Sequence, residues 1–130
     1  MIVKNESKVI VRLLTSVLPI IDTYCICDTG STDDTISIIT KFFDTHSITG
    51  NIITEQFRDF GYNRTIALNQ CYGMQSADYL LLMDADMVLE IPTELSISEF
   101  KMSLKEEAYY MFQGSPSFIY KNIRILKNIE

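Results

Sequence analysis

The sequence predicts an α/β fold: a mostly parallel sheet flanked by helices, with a C-terminal hairpin added to the sheet. Three patterns carry that expectation. Short β-branched and apolar runs alternate with helix-period segments as far as residue 86, as repeated strand–helix units do. The run Tyr79-Leu-Leu-Leu-Met83 is apolar at every position, as expected of a strand covered on both faces. Polar residues collect where the runs stop, and in sheets of this kind ligands bind at the carboxyl ends of the strands.

The elements follow in order. Met1 to Lys4 reads as a short strand. Asn5 is expected to cap a helix that reaches about Val17, turns Val9, Leu13, Leu14 and Val17 to one side and stops at Pro19. Thr23 to Cys27, β-branched and aromatic, is a second strand ending at Asp28. Gly30 marks a turn, and Thr32 or Asp33 caps a helix with Ile36, Ile39, Phe42 and Phe43 inward. Asn51 to Thr54 is a third strand, Tyr62 to Tyr72 a third helix and Tyr79 to Met83 a fourth strand. Beyond Pro92 the pattern changes: Ala108–Gln113 and Phe118–Leu126 read as two strands around Gly114-Ser-Pro116. The whole, residues 1–130, is one domain.

Composition narrows the function. Eleven Lys and Arg against seventeen Asp and Glu give a net charge of −6, which argues against nucleic acid or an anionic membrane as partner. With 47% hydrophobic and 22% charged residues the chain is not disordered. No stretch approaches the roughly 18–20 apolar residues of a membrane helix, and the run Val9–Ile21 carries Arg12 and no cleavage site. The expectation is a soluble, cytoplasmic protein whose three cysteines are reduced. With His46 the only histidine, Cys25-Ile-Cys27 is a poor zinc pattern.

The chemistry gathers at four strand ends: Asn5 and Glu6, then Asp28, then Glu55 to Asp59, then Asp84 and Asp86. Carboxylates at i and i+2 of a strand point the same way, about 6–7 Å apart along the chain. Asp84 and Asp86 could therefore share a hard divalent cation; alone, such a pair is more often a solvated turn, and it is the preceding apolar strand and the other strand-end acids that favour the cation. After Asp28, Gly30 permits close backbone approach and the next helix start offers N–H groups to an anion. Asp28 could accept from a base edge, while Asp33 and Asp34 are better read as helix-terminal acids. Arg58 and Arg64 supply cations beside this acidic rim, where a diphosphate carries more charge than one divalent ion cancels. Arg64 could also merely pair with Asp59 or Asp28.

Taken together, Ile2-Val-Lys-Asn-Glu6, Cys27-Asp-Thr-Gly-Ser-Thr-Asp33, Asp59-Phe-Gly-Tyr-Asn-Arg64 and Leu82-Met-Asp-Ala-Asp86 resemble the motifs of family 2 glycosyltransferases of the GT-A (Rossmann-like) fold, in order and spacing across residues 1–92. The resemblance implies a nucleotide-sugar donor, often a UDP-sugar, with Mn²⁺ or Mg²⁺, and transfer with inversion to a hydroxyl acceptor. By position it implies a donor-binding set of Val3, Asn5, Glu6, Asp28, Asp59, Asn63, Arg64, Asp84, Ala85 and Asp86. In that set Val3 to Glu6 and Asp28 hold uracil and ribose, Arg64 meets the base or diphosphate, Asp84 the ribose or metal, and Asp86 the metal. In this family the catalytic base lies well downstream of the metal motif, and Glu106, Glu107 and Glu130 carry no signal for that role. The chain thus resembles the donor-binding half of such an enzyme, either minimal or docked to the rest of a larger chain. Apolar surface left over could also support a homodimer.

Three alternatives stand beside this reading. A non-catalytic module would bind the nucleotide-sugar, or a partner chain, without transfer. A nucleotidyltransferase would share the acids and metal, but it wants a Gly-rich loop that Val3-Lys-Asn-Glu6 lacks. Asp28-Thr-Gly-Ser31 is also the tetrapeptide of dimeric aspartic proteases, yet five glycines and three helical segments do not fit an almost all-β fold.

Overall fold

The computed structural model describes residues 1–72, 74 and 76–129; Glu130 lies outside them. The chain forms β1 (Ile2–Val3), α1 (Ile10–Val17), β2 (Tyr24–Asp28), α2 (Thr35–Thr45), β3 (Gly50–Thr54), α3 (Phe60–Tyr72), β4 (Tyr79–Leu81), α4 (Ile97–Ser103), β5 (Ala108–Ser115) and β6 (Phe118–Lys127). The α/β architecture is the one the sequence predicts. β1, β2 and β3 form a parallel sheet in that order. Its core joins Val3 and Ile26 of the sheet to Ile10, Leu13, Leu14 and Val17 of α1, and to Ile39 and Phe43 of α2. α1 starts at Ile10 rather than directly after Asn5; Val9 sits half-buried at its cap, and Ile10 takes the expected place of Val9 in the core beside Leu13, Leu14 and Val17.

The hairpin forms where expected but joins a different sheet. β4, β6 and β5 make a second, antiparallel sheet, with Leu80 opposite Leu126 and Leu81 opposite Ile125. β4 is only three residues long, so the ten-residue β6 supplies its hydrogen-bonded edge. Among the described residues it has no strand pairing with the parallel sheet. Its apolar side chains instead line a cavity of about 820 Å³, together with Ile2, Leu13, Tyr24 and Ile26. Tyr110, Phe112, Phe118 and Ile119 stand exposed on the hairpin.

α4 has no counterpart in the sequence reading, although its start is written in the chain. Ser96 caps it by accepting from the N–H of Glu99, a Ser-x-x-Glu start signal. The structure adds a reason for Gly30: its φ is +101°, a backbone conformation that favours glycine. All three cysteines are free thiols, and no helix among the described residues is long and apolar enough to cross a membrane.

Candidate functional site

The loops that leave β1 and β2 are laced together. Asn5 does not cap α1; it adopts φ 55°, which asparagine tolerates better than most residues. Its N–H donates to Ser31 Oγ at 2.9 Å and its Oδ1 accepts from the Thr32 N–H at 2.7 Å. The Glu6 N–H donates to Thr35 Oγ1 at 2.8 Å, and that fully buried hydroxyl donates in turn to Asp33 Oδ1. The Ser7 N–H reaches Asp33 Oδ2 at 3.2 Å. Val3, at the end of β1, accepts from both the N–H and the hydroxyl of buried Thr29.

Asp33 thus serves the turn, as its place before a helix implied. The hydrogen bonds from Ser7 first, and from Thr35, hold its carboxyl well below the ordinary 3.8. A carboxyl whose pKa is depressed on folding stabilises the fold above its unfolded value, and that contribution is lost as pH falls towards the folded one. Asp33→Asn is therefore expected to be less stable than the native chain at pH 7, with the gap narrowing progressively below pH 4. Urea unfolding across that range measures it; a gap independent of pH would contradict the assignment.

Asp28 ends β2 almost wholly buried. Its carboxylate accepts from the N–H of Gly30 at 3.2 Å and from that of Ser31 at 3.1 and 3.2 Å. These bonds fix its orientation and leave acceptor capacity unused, since a carboxylate offers about four lone-pair sites. Its backbone carbonyl receives the Glu55 N–H at 2.9 Å, which ties the end of β3 to the end of β2.

The third cluster opens α3. Asp59 Oδ1 accepts from the Tyr62 N–H at 2.8 Å, capping the helix. Asn63 is fully buried, so in this structure it does not line a binding surface as expected. Its Oδ1 accepts from the Arg58 N–H at 2.9 Å and its Nδ2 donates to the Gln56 carbonyl at 3.1 Å. The side chain clasps the loop that delivers Arg64, a positional role. Asn63→Ala removes both hydrogen bonds, each worth about 0.5–1.5 kcal/mol. The expected result is a loss of about 1–3 kcal/mol in chemical denaturation, and a change under about 0.5 kcal/mol would contradict the clasp.

The Asp84-Ala-Asp86 segment is not an extended strand end. β4 stops at Leu81, and the Met87 N–H bonds the Asp84 carbonyl at 3.0 Å, closing a turn. Parallel carboxylates at strand spacing are therefore not formed. Ala85 packs into the core, while Asp86 is exposed and its carbonyl accepts from Arg12 Nη2 at 2.9 Å. Asp84 is gripped on both oxygens: Arg64 Nη2 lies 3.0 Å from Oδ1, and Arg124 Nη1 and Nη2 lie 3.2 and 3.3 Å from Oδ2. Arg64 thus pairs with neither Asp59 nor Asp28. Arg124 is the site residue that sequence reasoning missed. A charged residue within Ile123-Arg-Ile-Leu126 was its signal, because a charge among apolar strand residues needs a partner.

The predicted residues therefore meet in two linked groups. Val3, Asn5, Glu6 and Asp28 frame one loop pair, and Arg64 brings the α3 start to the Asp84–Asp86 turn. Among the described residues no three His, Cys, Asp or Glu side chains are gathered as a metal cage. Glu106 and Glu107 lie at the other end of β4. The Glu106 carbonyl accepts from the Tyr79 hydroxyl at 3.2 Å, and the Glu107 carbonyl from the Lys127 N–H at 2.8 Å.

Comparison with known proteins bears on this arrangement. The model of the family described as glycosyl transferase family 2 matches residues 1–122. The chain is 34% identical over 110 residues to the chondroitin synthase of Escherichia coli, an alignment that covers 82% of this chain and 15% of that protein. The chain thus spans well under a fifth of the length of this relative.

Proposed function

The chain belongs to glycosyl transferase family 2, and we propose that it grips a nucleotide-sugar donor, a UDP-sugar, for inverting transfer to an acceptor hydroxyl. The observation that supports this most is the Arg64–Asp84 pair. It sets an exposed guanidinium over the acidic turn after β4. Asp28, held by its own turn, keeps acceptor capacity for the N–H of a uracil edge. Asn5 and Glu6 border the ribose, and Arg64 meets the diphosphate.

The donor set fits a divalent cation that enters with the diphosphate. Magnesium sites commonly use one or two carboxylates plus substrate phosphates. Asp86 offers one exposed carboxylate, whereas both oxygens of Asp84 are engaged. Mn²⁺ or Mg²⁺ bound there would offset the negative charge that builds on the departing nucleotide. The chain's own contribution is orientation: Asp28 fixes the base, Arg64 screens the diphosphate, and the turn at Asp84 sets the height of Asp86.

A second reading, a donor-binding module without transfer, is favoured by the position of Glu106 and Glu107 away from this site. Incubating the protein with UDP-sugars, Mn²⁺ and a panel of hydroxyl-bearing saccharide acceptors while following UDP release separates the two. Release that depends on Arg64 supports a transferase or hydrolase; UDP binding without release favours the module. Absence of any UDP binding would remove both.

A further inference from the structure

Arg124 and Arg64 hold the same carboxylate on very different terms. The Arg124 side chain is only 12% exposed, against 56% for Arg64 and 31% for Asp84. Each of its five N–H groups has an acceptor. Nε and Nη2 donate to Gln113 Oε1 at 3.0 and 2.6 Å, Nη1 to the Leu82 carbonyl at 3.2 Å, and Nη1 and Nη2 to Asp84 Oδ2. Arg64 makes one hydrogen bond to Asp84, at 3.0 Å. Breaking a buried pair strands a charge at high cost, whereas an exposed pair is worth little. When an anion enters, Arg64 is therefore the partner that leaves and Arg124 the one that stays.

We propose that Arg124, oriented by Gln113, is a positioning residue that keeps Asp84 charge-paired, so that Asp84 does not take up a divalent cation by itself. Arg64 is then a placeholder on the second oxygen, exchanging the carboxylate for the diphosphate of the incoming donor. The cation and the nucleotide are thereby made to enter together. No bond is made or broken in this step; one guanidinium changes its anionic partner. The device also couples the hairpin to the site, since Gln113 lies on β5, Arg124 on β6 and Asp84 beyond β4. It rests on the donor-binding reading above for the identity of the anion, but not for the hold on Asp84.

The test measures two affinities separately, Mn²⁺ alone and UDP in EDTA, for the native chain, Arg124→Met, Arg124→Lys and the double variant Asp84→Asn/Arg124→Met. Arg124→Met is expected to bind Mn²⁺ about tenfold more tightly and UDP about tenfold more weakly, by loss of one charge-assisted interaction. The gain in Mn²⁺ affinity should vanish in the double variant, which lacks the carboxylate. Arg124→Lys, keeping the charge without the fork, should lie between. A merely structural Arg124 would weaken both affinities together, and that result, or an unchanged Mn²⁺ affinity, overturns the proposal. Should Arg124→Met not fold, Gln113→Leu is read in the same way, with a smaller gain in Mn²⁺ affinity expected. If the native chain binds no UDP while Arg124→Met still gains Mn²⁺, the hold on Asp84 is supported and only the donor reading falls.

Discussion

Asp86→Ala is expected to lower the affinity for UDP in Mn²⁺ by about ten- to one-hundredfold, the scale on which ligand and outer-shell changes act at metal sites. In EDTA the same substitution should leave UDP affinity unchanged. The contrast follows from how differently the two acids of the turn are used. Asp84 spends both oxygens on guanidinium groups, while Asp86 is exposed and engages Arg12 only through its backbone carbonyl. Ala85, between them, is the residue packed into the core. Removing the Asp86 carboxylate therefore leaves the packing intact, and the melting temperature should stay within a degree or two of native, since surface changes are usually within about 0.5 kcal/mol. Undiminished UDP affinity in Mn²⁺, measured on folded variant protein, would show that Asp86 holds no cation.

Phe43→Ala has the largest expected effect on stability, about 3–5 kcal/mol. Phe43 is the bulkiest of the fully buried side chains. It stacks on Tyr24 of β2 with ring centroids 3.8 Å apart and planes 8° from parallel, and meets Phe42 edge-on at 5.6 Å. Truncation removes the transfer free energy of the ring, the aromatic pairing with Tyr24 and the support of α2 against the sheet. The loops that carry Asn5 and Asp28 rest on that sheet, so a fold weakened here should also bind UDP less well near its melting point. Urea denaturation of Phe43→Ala and Phe43→Leu checks the cost. A loss below about 1.5 kcal/mol for Phe43→Ala would mean that the α2–sheet core is not the main support of the fold.

Strand and helix positions were legible because each segment of the first half agrees with itself. Thr23 to Cys27 is β-branched and aromatic and fits a strand, and Leu13, Leu14 and Val17 recur on one helical face. Pairing was less legible. The uniformly apolar Tyr79–Met83 run says that both faces are covered, and equally suits a parallel neighbour or the antiparallel β6 it takes. Polar side chains were the hardest to read, because one residue type serves both binding and bracing. Asn63 carries the amide of a donor contact but is fully buried on Gln56 and Arg58. Asn5 has the composition of a helix cap, yet its left-handed backbone turns it towards Ser31 and Thr32. Arg124 escaped notice because its partner lies 40 residues away in the chain, a separation that no local pattern encodes. The meeting of Asn5 and Asp28 was readable because adjacent parallel strands β1 and β2 bring their ends together.

Calorimetric titration of UDP into the protein, once with Mn²⁺ and once with EDTA, tests the central claim most directly. The expected result is binding with Mn²⁺ that is strongly weakened by the chelator, since a cation held by Asp86 would offset the charge of the diphosphate. No heat of binding in either condition would contradict the claim that these strand ends hold a nucleotide-sugar donor.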